Sequence, residues 1–401
     1  ETGEKHMKRN LTLLTDLYQL TMMQGYHENN INNHEVVFDL FYRNNPSKNG
    51  YAICAGLEQA IDYIENLHFD ETDIEYLRSL NLFNESFLEY LRNFKFTGDI
   101  DAIPEGTVVF PMEVLMRVKA PILEAQFVET ALLNIINHQS LIATKAARVV
   151  RAAEGDPVLE FGLRRAQGPD AGIYGARAAI IGGCAATSNV LTGQMFDVPV
   201  SGTHAHSWVM SFDEEIEAFR AYARLFPEKC ILLVDTYDTL GSGVPNAIKV
   251  FDEMKASGVQ MTSYGIRLDS GDLAYLSKKA RIMLDEAGHK DAIISASCDL
   301  DEILIADLKR QGAKITLWGV GTNMITSSDC PSFGGIYKLA AEINEEGVVV
   351  PKIKISNNPE KVTNPGIKKV VRVYNKETGK IKADIIALEN EVFDETKELP
   401  F

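Results

Sequence analysis

Two histidines two residues apart, His204 and His206 in the run GTHAHSW (202–208), are the first residues in this sequence that could do chemistry. On an extended strand, residues two apart face the same side, so an HxH pair can chelate zinc. The same imidazoles could instead serve as a general base or a nucleophile, or be hydrogen-bonded structural groups. A metal site would need more histidine ligands downstream. Only His289 follows, and its setting, EAGHKD, predicts a surface turn.

The pair is one of six clusters, each at the end of a short apolar, β-branched run. VLEFG (158–162) is followed by Arg164 and Arg165, and VPVSG (198–202) by His204, His206 and Ser207. CILLVD (230–235) ends in Asp235, with Asp238 beyond, and YGIRLD (264–269) carries Arg267 and Asp269, with Asp272 beyond. AIISAS (292–297) ends in Ser297, near Asp299, and KITLWGVG (314–321) brings Gly319, Gly321 and then Thr322. Guanidinium groups bind carboxylate or phosphate bidentately. WGVGTN (318–323) resembles a backbone-amide phosphate cradle at a helix start. Asp235 and Asp269 could hold a magnesium ion or stabilise a developing cation, or they could cap the next helix.

The elements that must position these clusters alternate strand and helix at a repeat of about thirty residues, the size of one βαβ unit. Asp213 to Leu225 and Val244 to Ala256 are the clearest amphipathic helices between them. Such alternation predicts parallel strands with helices outside, in a barrel or an open sheet; periodicity fits both. Sites in parallel α/β folds form at the carboxyl ends of strands, so six charged or Gly-rich strand ends predict one shared site.

Before this region the pattern is mixed. A helix is expected from about Leu13, with Gly25 as its stop, then a strand over 36–41 ending at Arg43. Helices follow near 57–66, 70–80 and 85–94, strands at 107–110 and 114–118, and a long helical region, open to a kink, over 124–153. After Cys330, strands at 337–343, 348–355, 368–374 and 380–388 read as antiparallel, too few to make a domain alone. They can complete one domain with the strands of the first third.

Composition narrows the function classes. A net charge of −16 disfavours nonspecific binding to nucleic acid or acidic membranes. It leaves room for a phosphorylated substrate held by a local arginine cluster. The longest apolar runs, such as 178–186, are far shorter than the roughly 18 residues a membrane span needs. Five widely spaced cysteines without a CxxC pair fit neither a disulfide framework nor a zinc ribbon; a reducing cytoplasm is the simplest setting. The start shows no apolar signal region, and residues 1–7 (ETGEKHM) read as an expression remnant.

Over nearly its whole length the chain resembles the nicotinate phosphoribosyltransferases. The resemblance is carried by LLTDLYQLTMMQGY (13–26), FYRNNP (41–46), GYAICAGL (50–57), EFGLRRAQGPDAG (160–172), GTHAHSW, IRLDSGD (266–272) and the region from SCDLDE to WGVGTN (297–323). It implies an α/β fold: the irregular barrel of type II phosphoribosyltransferases, plus an open-faced β-sandwich-like domain built from both chain ends. The implied boundaries are 8–110 and 332–401 for the latter and 111–331 for the barrel. The implied reaction joins nicotinate to 5-phosphoribosyl 1-diphosphate, giving nicotinate mononucleotide and diphosphate, with Mg2+ and coupled ATP hydrolysis. Its place would be NAD salvage by the Preiss–Handler route.

The resemblance also implies roles. His206 would be phosphorylated by ATP, with Asp235 and Asp269 as catalytic carboxylates. Phe161 and Tyr18 would sandwich the pyridine ring, Tyr18 coming from the second subunit of a homodimer. Arg267 would meet the nicotinate carboxylate, Arg164 and Ser207 would line the pocket, and Arg43 would reach a phosphate from the neighbouring subunit. Ser297, Gly319, Gly321 and Thr322 would hold the ribose 5-phosphate. Cys298 stands where family members often have Asn, and the chain ends at Phe401 where many continue, as an incomplete sequence or a short form would.

Nicotinamide phosphoribosyltransferases share the fold and the histidine. They tend to carry a carboxylate on the barrel wall where this chain has the uncharged ATSN (186–189), which favours nicotinate here. A quinolinate enzyme would need additional basic residues for a second carboxylate. A metal-dependent HxH barrel hydrolase would rest on the histidine pair alone, and a noncatalytic dimeric binding protein would not need the full Arg, His and Asp set.

Overall fold

The computed structural model describes residues 9–358 and 361–394. The expression remnant read at 1–7 and the chain end at 395–401 lie outside the described residues. The chain divides into two compact units, Leu141–Pro331 and the described parts of Met7–Ser140 with Ser332–Phe401.

The second of these is built on a five-stranded antiparallel sheet. Its order is Val349–Pro351, Gly335–Ile343, Glu35–Tyr42, Met116–Pro121, Asp99–Ala102. Strands from the two chain ends meet at its centre, where Glu35–Tyr42 pairs with Gly335–Ile343 from Glu35↔Ile343 to Tyr42↔Gly335. The central strand, EVVFDLFY, is buried at every position but its first, which explains its nearly continuous apolar run. Its one charged core residue, Asp39, is paired at 2.6 Å with buried Lys368, whose ammonium also donates to the Asn364 and Gly366 carbonyls. Because Met116–Pro121 lies beside Glu35–Tyr42, residues 111–140 group with the chain ends.

The unit Leu141–Pro331 carries six parallel strands in the order Ala186–Thr187, Val158–Glu160, Leu317–Val320, Ile293–Ala296, Gly265–Leu268, Ile231–Leu233. Helices follow the strands as expected, among them Glu215–Leu225, Val244–Ala256 and Leu273–Glu286. Each of these three buries one face, for example Val244, Ala247, Val250, Phe251 and Met254 in the second, the spacing of a helix seated on a sheet. Trp318, fully buried in its strand, is tied through Nε1 to Asp156, just before the strand Val158–Glu160, at 3.0 Å.

Three local expectations fail for physical reasons. The first helix does not stop at Gly25 but spans Leu17–Glu28. A mid-helix glycine costs about 1 kcal/mol, which burial of Leu20 and Met23 offsets, and the helix ends where Asn29 Nδ2 caps the Gly25 carbonyl at 2.8 Å. The run 198–202 is not a strand. Interrupted by Pro199 and ending in Gly202, it keeps one parallel bridge, Val200 to Thr187, while Ala186–Thr187 takes the place in the sheet. His289 is not on a surface turn: it is 1% exposed, with Nε2 2.9 Å from Asp252 and Nδ1 3.2 Å from the Tyr264 hydroxyl.

Candidate active site

Five of the six parallel strands bring their carboxyl ends to a cavity of about 720 Å³, and Ile231–Leu233 contributes nothing to its lining. Phe161, Arg164 and Arg165 enter it from the end of Val158–Glu160, and Ser188 from the end of Ala186–Thr187. The segment 202–206 contributes both histidines, and Gly265–Leu268 contributes Arg267 and then Asp269. Ser297, Cys298 and Asp299 follow the next strand, and Gly319, Gly321 and Thr322 the last. Thus nine of the thirteen residues expected from the sequence line one cavity, namely Phe161, Arg164, His206, Arg267, Asp269, Ser297, Gly319, Gly321 and Thr322; Asp235 does not line it but accepts from the Asp269 N–H.

The aromatic wall depends on a missing side chain. A Cβ on Gly319 would sit 2.7 Å from two carbons of the Phe161 ring, so only glycine lets that ring lie across the strand. The turn after Phe161 is fixed from within the core. Glu160, wholly buried, accepts from the Gly162 N–H and from the Thr187 hydroxyl at 2.6 Å. Burial pushes its carboxyl above the usual range, against those two hydrogen bonds.

Arg267 is the charged group of the wall. It donates to the Thr203 hydroxyl and, at 3.0 Å, to the His204 carbonyl. Its Nε is buried and has no hydrogen-bond partner among the described residues. Burial lowers its proton affinity, and the nearby carboxylates of Asp269 and Asp235 only partly compensate. A half-buried guanidinium with a buried, unused donor is a costly group unless an anion meets it.

The two histidines separate. His204 Nε2 accepts from the Leu233 N–H at 3.2 Å, its Nδ1 lies 3.3 Å from the Ala205 carbonyl, and its ring packs edge-on to Tyr222. Burial first, then Arg267 and His206, push its pKa down to about 4, so it is neutral, and both nitrogens are spent on backbone. With its Nε2 lone pair taken by the Leu233 N–H, His204 offers zinc no free ligand atom. His206 opens the short helix His206–Met210, with Nδ1 3.0 Å from the Thr236 hydroxyl and Nε2 3.6 Å from Asp269 Oδ2. Asp269 is braced in turn: its Oδ1 accepts from Ser297 Oγ at 2.6 Å, and its backbone N–H donates to Asp235 at 2.9 Å. Asp235 also accepts from Ser270 Oγ at 2.6 Å and does not line the cavity. Thr236, unremarked in the sequence, sits one residue past the expected Asp235.

Ser207 is exposed on the first turn of that helix and does not line the cavity. Tyr18, half-exposed on Leu17–Glu28, and Arg43, just past Glu35–Tyr42, belong to the other unit. Arg43 Nε is buried without a hydrogen-bond partner among the described residues. Cys298 lies beside the carboxylates of Asp269, Asp299 and Asp235; burial first, then those charges, raise its thiol, so it meets a ligand as a neutral group. Among the described residues, no group of three or more His, Cys, Asp or Glu could hold a metal ion.

Known proteins match this chain over most of its length. Residues 13–137 match the family model of the nicotinate phosphoribosyltransferase N-terminal domain, and residues 157–378 that of the nicotinate phosphoribosyltransferase family. The nicotinate phosphoribosyltransferase of Bacillus subtilis (strain 168) is 53% identical, over 97% of this chain and 78% of its own length. This chain belongs to the nicotinate phosphoribosyltransferase family. The Caenorhabditis elegans nicotinate phosphoribosyltransferase is 36% identical over 94% of this chain and 76% of its own. The crystal structure of human nicotinic acid phosphoribosyltransferase superposes with a TM-score of 0.82 at 30% identity, covering 95% of this chain and 82% of that one. The α/β fold of the type II phosphoribosyltransferases, expected from the sequence, is therefore the fold of this chain, and nicotinate phosphoribosyltransferases are enzymes.

Proposed function

We propose that this chain joins nicotinate to 5-phosphoribosyl 1-diphosphate, forming nicotinate mononucleotide and diphosphate in NAD salvage. The observation that carries the reading is the half-buried guanidinium of Arg267, its buried Nε without a partner, in the same cavity as the Phe161 ring. A planar ring bearing one carboxylate satisfies both: the ring stacks on Phe161 and the carboxylate meets Arg267. Ser188 and the rest of ATSN put no charge on that wall, which favours the acid over nicotinamide.

The pyridine nitrogen attacks C1 of the sugar, the C1–oxygen bond breaks, and diphosphate leaves with the bonding electrons. Positive charge develops on the ribose, where Asp269 stabilises it. Ser297, Gly319, Gly321 and Thr322 hold the 5-phosphate through hydroxyl and backbone N–H donors, and Arg164 assists with anionic oxygens. Magnesium fits as a substrate-borne ion, since it binds through one or two carboxylates plus substrate phosphates; Asp269, which lines the cavity, is the available carboxylate. Bound there, it would neutralise the departing diphosphate.

ATP enters through His206. A carboxylate beside Nε2 favours the tautomer protonated there, leaving the Nδ1 lone pair to bond the γ-phosphorus while the bond to the ADP oxygen breaks. The phosphohistidine then favours productive binding of the sugar diphosphate. Product formation from nicotinate and from nicotinamide, each with and without ATP, tests this reading. Nicotinate should be the better substrate and ATP should raise turnover; equal use of the amide, or indifference to ATP, would refute the corresponding half.

We further read the working enzyme as a cytoplasmic homodimer in which Tyr18 and Arg43 complete the partner's site. All five cysteines are free thiols, and no described helix is long and apolar enough to cross a membrane. Leu14, Leu17, Tyr18 and Met22 lie exposed along one stretch of the chain. In sedimentation at assay concentration the active species should be a dimer; a fully active monomer would sink the shared site.

A further inference from the structure

Two neighbouring loops line one side of the cavity. One, Ser297 to Asp299, leaves the strand Ile293–Ala296 and runs into the helix Glu302–Arg310. The other, Gly321 and Thr322, leaves Leu317–Val320, makes the short helix Thr322–Ile325 and continues to Asp329. Both hold ionisable groups away from the cavity, and these meet beneath it.

The meeting point is Lys145 on the helix Glu129–Ala152. It is 3% exposed, and its Nζ donates to Glu302 Oε1 at 3.0 Å and to Asp329 Oδ1 at 2.7 Å. Arg148, one turn along, donates to Asp329 Oδ2 at 3.0 Å and also pairs with Glu302. Each cation therefore touches both carboxylates, and each carboxylate belongs to a different loop. A third tie runs nearer the cavity. Asn323 Nδ2, next to Thr322, donates to the Asp299 carbonyl at 2.8 Å and the Leu300 carbonyl at 3.3 Å. Asp299 has φ of +35°, a backbone conformation that persists only where its surroundings hold it.

Buried ion pairs rarely stabilise a fold better than apolar residues of the same size, because desolvation cancels most of the attraction. What they supply is fixed geometry. We propose that Lys145 and Arg148 are positioning residues that set the spacing between the two loops holding the 5-phosphate of the sugar diphosphate. The inference rests on the reading of Ser297, Gly321 and Thr322 given above. Neither cation lines the cavity, so both act through the loops. A phosphate gripped from two loops loses donors when they drift apart, and a displacement of about 1 Å can cost on the order of 100-fold. Phe161 and Arg267, which receive nicotinate, take no part in the network.

The test is Lys145→Met, of similar length and without charge, with both substrates varied at steady state. KM for 5-phosphoribosyl 1-diphosphate should rise about 10- to 100-fold, while KM for nicotinate stays within about twofold. Asn323→Ala should give the same split in milder form, and it decides the matter if Lys145→Met does not fold. Folded variants that keep both KM values, or raise both equally, overturn the positioning role. If the unaltered protein makes no nucleotide from these substrates, it is the functional reading that fails; turnover without the split removes only the clamp.

Discussion

Arg267→Leu is expected to raise KM for nicotinate about 10- to 100-fold while leaving the protein close to its original stability. A hydrogen bond to a charged group contributes about 1.5–3 kcal/mol, and each 1.4 kcal/mol is about tenfold. The stability side has the opposite logic. Arg267 is a half-buried cation in contact with no carboxylate; its hydrogen bonds go to the Thr203 hydroxyl and the His204 carbonyl. Removing it relieves a desolvation penalty and leaves those two oxygens to find water, so the net change should stay within about 1 kcal/mol. The same balance predicts that nicotinate raises the unfolding temperature of the unaltered protein, because it binds the folded state alone, and that this rise vanishes in the variant. Relative use of nicotinate and nicotinamide is the sharpest readout. The amide gains nothing from the cation, so its kcat/KM should change little. An unchanged preference for the acid in Arg267→Leu would mean that the carboxylate is held elsewhere.

The strand ends were legible in the sequence because parallel α/β topology puts chemistry there. VLEFG, YGIRLD, AIISAS and KITLWGVG each bring their next polar residues to the same cavity. What stayed hidden needed contacts between distant positions. Asp235 looks like its neighbours at other strand ends, yet it holds the backbone of Asp269, 34 residues on, rather than facing the cavity. His289 looked solvated among charged neighbours, but its partners Asp252 and Tyr264 arrive from 37 and 25 residues away. The importance of Gly319 appears only when the Phe161 ring is seen lying across it. Gly25 misled in the other direction, since tertiary burial outweighs its weak helix propensity. The resemblance to a known family supplied the expected roles; the contacts that hold each residue in place needed coordinates.

His206→Ala is expected to abolish both phosphoryl transfer from ATP to the protein and the stimulation of nucleotide formation by ATP, leaving an ATP-independent basal reaction. Asp269→Asn should keep the histidine but slow its phosphorylation on the order of 10²- to 10⁴-fold, the usual worth of a positioned acid–base partner. The geometry separates the two effects. Asp269 stands 3.6 Å from Nε2, close enough to hold the proton there and stabilise the cation that forms as Nδ1 bonds phosphorus. The Thr236 hydroxyl, 3.0 Å from Nδ1, fixes the ring's rotation and must turn its hydrogen away as phosphorus approaches that nitrogen. An asparagine preserves the shape and the Ser297 contact but carries no charge to balance the imidazolium or the ribose cation, so the loss should fall on the phosphorylation rate and on ribosyl transfer, and not on nicotinate binding. Label from γ-labelled ATP, followed by rapid quench, reads that rate directly. If His206→Ala still takes up label or still responds to ATP, the acceptor is another residue, and the braced series Asp235, Asp269 and His206 serves the sugar rather than the phosphoryl group.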